Sequence, residues 1–310
     1  MTFVALVAAL LIEQLRALTP GNPVHAHFRR FVLFLERALD TGDYRQGVLA
    51  WIVCVVPLVV LVAAVASWLN RAAPFLGLAF DVAVLYVTMG FRQLSHGYGQ
   101  VHAALRSADI EHARGALERW CGAQAAALGQ SEIARVAIER GLVRAHRHVF
   151  GVLAWFAVFG AWGAVLYRVA AWLREDWGSR PASFADQFGA FSRDAFGLID
   201  WIPARLTAIS FAVTGDFEDA LYCWRTQAAA WPEPTEGIVL AAGAGAIGVR
   251  LGSVLGSAQP VEVRPELGTG EEADAELMTS ATGLIWRALV LWLFVVLLLT
   301  VATWLGSASA

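Results

Sequence analysis

Long uncharged runs alternate along this chain with stretches rich in arginine. Gln46 to Asn70 carries no charged residue in 25 positions, more than the roughly 20 apolar residues needed to cross a bilayer core. It predicts a membrane helix over 49–69, with Pro57 a kink that neighbouring helices accommodate. Three further runs predict spans over 74–91, 149–168 and 284–305, the last with Arg287 near its start. The second is interrupted only by Asp81. A carboxylate inside a membrane usually faces a partner, so Asp81 is either a functional group bonded to an arginine or an acid at the membrane edge near Arg71.

The flanking segments read as helices of other kinds. Met1 to Ile12 is uncharged but short, lacks a basic leader and a small-residue cleavage site, and predicts an interfacial or bundle-packed helix instead of a removable signal. Thr19-Pro20-Gly21-Asn22-Pro23 breaks it. Val24 to Leu39 then sets Phe28, Phe31, Val32, Leu35 and Leu39 against Arg29, Arg30 and Arg37, an amphipathic helix for a membrane surface. Residues 92–148 hold eight arginines, five acids and five of the seven histidines, predicting an exposed helical loop domain with a helix capped by Ser131. His146 and His148 flank Arg147, which repels a cation, so this is a polar collar and not a metal site. Arg168, Trp172, Arg174 and Trp177 suggest an interfacial belt. Region 174–283 is predicted to be exposed or re-entrant, opening with a Ser183 and Asp186 cap and an amphipathic run through Phe184, Phe188 and Phe191.

That run leads into Asp200-Trp201-Ile202-Pro203-Ala204-Arg205-Leu206-Thr207. Pro203 lacks an N–H and disfavours a helical residue before it, so Ile202 is expected extended and a helix should begin near Pro203. Arg205 in a first helical turn gains nothing from the helix dipole and is either an anion or carboxylate ligand or a plain surface arginine.

Composition sets the class: 58% hydrophobic, 16% charged and a mean hydropathy of +0.57 describe an all-α, polytopic integral membrane helical bundle with interfacial helices. A net charge of −3 with dispersed arginines excludes nucleic acid as a partner and makes the lipid bilayer the expected one. All 23 Lys+Arg residues are arginine, which excludes a Walker A loop and Schiff-base chemistry. Cys54, Cys121 and Cys223 form no CxxC pair. Gly243-Ala-Gly245-Ala-Ile-Gly248 satisfies a dinucleotide fingerprint in letter, but no strand and helix alternation surrounds it. Gly248, Gly252 and Gly256 recur every four residues, a small-residue ridge for close helix packing.

The run Trp201-Ile-Pro-Ala-Arg-Leu-Thr, Trp155-Phe156 with Tyr167-Arg168, Asn22-Pro23-Val24, and Ala241 to Gly252 with Pro265-Glu-Leu-Gly268 together resemble the CobD/CbiB family, whose broader group includes AmpE-like membrane proteins. The resemblance spans most of the chain. It implies a cobalamin-synthesis membrane protein, and a ligase-type amide bond between a corrinoid carboxyl and aminopropanol or its phosphate, as in adenosylcobinamide-phosphate synthase. Glu139 and Asp200 would be catalytic, handling a proton or metal; Arg168, Arg205, Arg92 and Asn22 would bind substrate. Magnesium and ATP are implied as cofactors by the resemblance alone.

Several family positions are replaced. The family's second Glu and its Asn fall on Val143 and Arg144, its Asp-Gly on Arg147-His148, its Asn-Thr-x-Asp on Ala171, Trp172 and Arg174, and its Asp-Asp-x-x-Asn is reduced to Asp200 in the Asn position. If those acids bind magnesium or activate the amine, that chemistry is missing here. Two functions follow: an active synthase on a corrinoid substrate, or a non-catalytic AmpE-like membrane regulatory protein. Either would sit in the bacterial cytoplasmic (inner) membrane, as a homo-oligomer or beside other membrane corrinoid enzymes.

Overall fold

A computed structural model describes residues 2–15, 23–40, 42–122, 125–178, 187–253 and 265–308. It is an all-α membrane-type protein with three helices long and apolar enough to cross a bilayer. The chain divides into two compact units, one built from 1–90, 147–201 and 299–310, the other from 91–146 and 202–298.

The first unit begins with α1 (Thr2–Leu15) and α2 (Pro23–Leu39). Ala5, Leu6, Ala9 and Glu13 bury one stripe of α1, which packs on α4, while Val32 and Leu35 are the buried stripe of α2. The uncharged run becomes α3 (Tyr44–Ala72), with Pro57 inside it, and is a candidate span. Ala73 is extended at φ −163° and ψ 127°, because Pro74 at the first position of α4 (Pro74–Thr88) bars a helical residue before it. At 15 residues, α4 is shorter than the predicted 74–91 span. Among the described residues Asp81 makes no ion pair with an arginine. Val32, Leu35, Ala50, Cys54, Val55, Val165, Val169, Leu173, Trp177 and Phe188 form one apolar core.

The expected span over 149–168 is not one helix. A short π-helical turn, His146–Phe150, runs into α8 (Gly151–Phe159), and α9 (Ala161–Asp176) returns along it. Gly160 makes the reversal at φ 67° and ψ −151°, a region that is essentially glycine's alone. Glycines also let the two helices touch: a Cβ at Gly151 would strike the Tyr167 ring, and one at Gly163 the Trp155 carbonyl. The Ser183, Phe184 and Asp186 positions lie outside the described residues, and Phe188 is buried ahead of a helix that starts at Ala190.

That helix, α10 (Ala190–Thr214), overturns the expected turn at 200–207, since it runs through Pro203 without a break. Proline cannot donate to the carbonyl four residues back. That acceptor, Ile199 O, instead receives the Trp155 indole N–H at 3.1 Å. A tertiary donor repairs the gap, as membrane helices commonly arrange, and α10 is a second candidate span within the region expected to be exposed or re-entrant.

The second unit contains α5 (Phe91–Arg106), α6 (Ile110–Cys121) and α7 (Gln130–Ala145). The loop domain is less exposed than its charge suggests: ten of the sixteen α7 residues are buried. Its start is set by Gly129, whose N–H donates to Glu132 Oε2 at 2.8 Å, and not by Ser131. The His146 and Arg147 side chains are buried, so no polar collar forms there. After α11 (Phe217–Gln227) comes α12 (Pro234–Ile247), buried at eleven of fourteen positions, where Gly237 and Gly245 lie against the Ala228 and Asp219 carbonyls. Close packing is therefore real but shifted from the predicted ridge: Gly248 is the left-handed C-cap of α12, Gly252 lies beyond it in a turn, and Gly256 lies outside the described residues. The Gly243–Gly248 fingerprint ends a helix instead of opening one, which removes the dinucleotide reading. Two short parallel strands, β1 (Val249–Arg250) and β2 (Glu271–Glu272), follow, and α13 (Ala275–Ala308) supplies the third candidate span.

Candidate functional site

In the second unit the chemistry collects where α7 meets the glycine turn after α12. Arg135 and Glu139 are four residues apart, so they share one face of α7. They grip both sides of one residue: Gly252 N–H donates to Glu139 Oε1 at 2.7 Å, and Arg135 Nη1 donates to Gly252 O at 3.0 Å. Glu139 is 3% exposed. Gly252 has φ 76°, and a Cβ there would run into the Pro265 carbonyl. Gly268 and Gly270, at φ 91° and 133°, likewise press against the Val249 and Gly248 carbonyls, so the 248–253 and 265–272 segments meet backbone to backbone. Burial pushes the Cys223 thiol up, and its Sγ lies 3.9 Å from Thr269 Oγ1. His146 Nδ1 lies 2.9 Å from Thr207 Oγ1, both buried, tying α7 to the second-unit part of α10.

In the first unit, the charged groups of α9 and α10 form a second cluster. Tyr167 donates its hydroxyl to Asp200 Oδ1 at 2.7 Å, and both side chains are buried. Arg168 follows Tyr167, and its Nη1 is buried without a hydrogen-bond partner. Arg147 Nη1 lies 3.7 Å from Glu175 Oε1, and its guanidinium sits 5.5 Å from the Phe196 ring centre. Two guanidiniums and two carboxylates with an ordered phenol can hold an anion and orient a proton. Among the described residues no three His, Cys, Asp or Glu side chains converge as metal ligands, so the donors present do not fit a protein cage for magnesium.

The CobD/Cbib protein family description matches residues 2–285. The chain belongs to this family. It is 36% identical over 303 residues to the cobalamin biosynthesis protein CobD of Stutzerimonas stutzeri, covering 95% of this chain and 97% of that one. The CobD of Chromobacterium violaceum is 35% identical, covering 79% and 78%, and that of Mycobacterium tuberculosis 31%, covering 81% and 80%. No solved structure matches.

Within the first unit, the structure bonds Asp200 to Tyr167, the residue before Arg168. Glu139 and Arg205 belong to the second. Arg205 is part-buried in the middle of α10, not in the first turn of a helix. Arg92 falls in the first turn of α5, with its side chain outside the described residues, and Asn22 lies outside them altogether. Sequence reasoning quoted Tyr167 only as part of a motif, without its bond to Asp200, and missed Arg147, Glu175 and Arg135 as site residues. For Arg135 a signal existed, its spacing of four from Glu139; the others meet through tertiary contacts that no local pattern announces.

Proposed function

We propose that this protein is a synthase of cobalamin biosynthesis, forming the amide bond between the carboxyl of adenosylcobyric acid and aminopropanol or its phosphate at the bacterial inner membrane. The observation that carries the reading is likeness to CobD proteins along 95% of the chain. Amide formation needs an amine freed of its proton and a carboxyl held against it. In this reading Asp200, held by Tyr167, handles a proton, and Arg168, with Arg147 close by, holds a carboxylate or phosphate in planar, two-bonded fashion within the first unit; Arg205, in the second, binds a carboxylate or phosphate of its own. Glu139 acts on the glycine turn as a positioning residue. ATP, as a co-substrate, would activate the carboxyl, whose oxygen leaves with phosphate as the amine attacks; with no lysine in the chain, binding its phosphates falls to arginines.

The test is direct. Purified protein in lipid nanodiscs is supplied with adenosylcobyric acid, ATP, magnesium, and either aminopropanol or its phosphate, and the amide product is sought by mass spectrometry. Product from one of the amines supports the synthase; none from either, while the Stutzerimonas CobD is active in the same assay, overturns it.

A further inference from the structure

The turn gripped by Arg135 and Glu139 also walls a cavity of about 90 Å³, lined by Arg135, Arg250, Leu251, Ser253, Glu266 and Glu272. That excludes a corrin macrocycle and fits a small head group. Its lining is of both signs. Arg135 and Arg250 bring two guanidiniums, and Glu266 and Glu272 two carboxylates, with Arg250 Nη2 4.0 Å from Glu272 Oε1. That separation leaves the pair without a tight internal bond. The side chains of Arg250 and Glu272 are 51% and 72% exposed, free to close on a ligand.

The frame beneath is rigid and costly. Ser253 takes φ 66° without being glycine, and Gly252, Gly268 and Gly270 hold positive φ against neighbouring carbonyls. A left-handed φ is strained for serine and persists where the surroundings enforce it, whereas the glycines adopt positive φ freely. Here the enforcing contacts are Arg135 and Glu139 on Gly252, the parallel pairing of β1 with β2, and the Gly268 N–H donated to Gln227 Oε1.

We infer that this cavity binds a small zwitterion, its phosphate on Arg135 and Arg250 and its ammonium on Glu266 and Glu272. Resting on the synthase reading for the ligand's identity, it is the seat of the aminopropanol phosphate.

The experiment is a matrix of ligands and variants read by calorimetry on the full chain in nanodiscs, without turnover. The ligands are aminopropanol phosphate, aminopropanol, and isopropyl phosphate; the variants are Arg250→Gln and Glu272→Gln, both at exposed side chains. Expected is a loss of tenfold or more for aminopropanol phosphate in each variant. Isopropyl phosphate should be weakened by Arg250→Gln alone, and aminopropanol by Glu272→Gln alone. Equal effects on all three ligands, or none, overturn the inference. Product formation by wild-type protein with an unchanged amine KM in Arg250→Gln rejects the cavity and leaves the synthase standing. Charge-selective binding without product supports the cavity and rejects the synthase.

Discussion

Glu139 is where a catalytic and a positioning role separate most cleanly. Its Oε1 accepts the Gly252 N–H at 2.7 Å, and the residue is buried. Glu139→Gln keeps an oxygen acceptor in place and exchanges a charge-assisted hydrogen bond for a neutral one, a loss of about 1 kcal/mol. Glu139→Ala leaves the buried Gly252 N–H without that acceptor, about 1–3 kcal/mol, and removes packing worth about 0.8 kcal/mol per methylene. At roughly 2–4 °C per kcal/mol for units of 150–250 residues, the glutamine variant should melt a few degrees low and the alanine variant about twice as far. Loss of a general acid or base costs about 10²–10⁴ in rate. A positioning residue predicts instead that Glu139→Gln keeps kcat within about fivefold, with any change appearing in the KM for the amine. Thermal unfolding and mass-spectrometric product formation on the same nanodisc preparations read both quantities. An unchanged melting temperature with kcat down a hundredfold would refute the positioning role.

Further outcomes follow from the same contacts. Gly160→Ala forces a side chain into a glycine-only region of backbone space and should cost on the order of 1–3 kcal/mol, seen as a lowered melting temperature; no change would mean that the α8–α9 reversal is not formed as described. Tyr167→Phe removes a buried hydrogen bond to a carboxylate, worth about 1.5–3 kcal/mol, and should destabilise the protein where an exposed tyrosine would not. Trp155→Phe keeps an aromatic ring but strips the donor from Ile199 O; about 1–3 kcal/mol of lost stability is expected, and Pro203→Ala, which restores a helical N–H, should recover part of it. With α10 crossing the membrane once, reporters fused at Gly178 and Thr269 should report opposite sides; matching signals would retire α10 as a span.

Much of this architecture was written in local pattern, and the errors have physical causes. The uncharged run at 46–70 and the two-faced run at 24–39 each became a helix near the expected bounds, because one long or one striped apolar surface suffices to define it. Pro203 misled because proline's missing N–H does argue for a helix start. What outweighed it was an indole from α8, some 44 residues earlier in the chain, which no pattern around Pro203 reveals. The run at 149–168 is apolar enough for a span, yet Gly160 folds it back, and hydropathy does not register a backbone angle. Charge alone predicts an exposed 92–148 stretch, whereas α7 buries its apolar majority and turns Arg135 and Glu139 toward Gly252. At the site, residue types were legible and partnerships were not: Asp200 could be nominated from its motif, but not its bond to Tyr167.

The replaced family positions bear on what the first-unit cluster attracts. Where the resemblance sets an Asp-Gly, this chain has Arg147-His148, and the Arg147 guanidinium is buried between Glu175 and the Phe196 ring. Arg168 adds a second, with a buried Nη1 lacking a hydrogen-bond partner. Exchanging an acid for arginine beside another arginine changes the sign of the local field: the pair repels a divalent cation and favours a phosphate or carboxylate. Glu175 offsets one of the two charges and lies at the partly exposed rim, while Asp200 is engaged by the Tyr167 hydroxyl. The cluster therefore retains guanidinium capacity for an incoming anion, and a carboxylate whose orientation is fixed by a phenol. That division suits holding an anionic group still beside an oriented carboxylate.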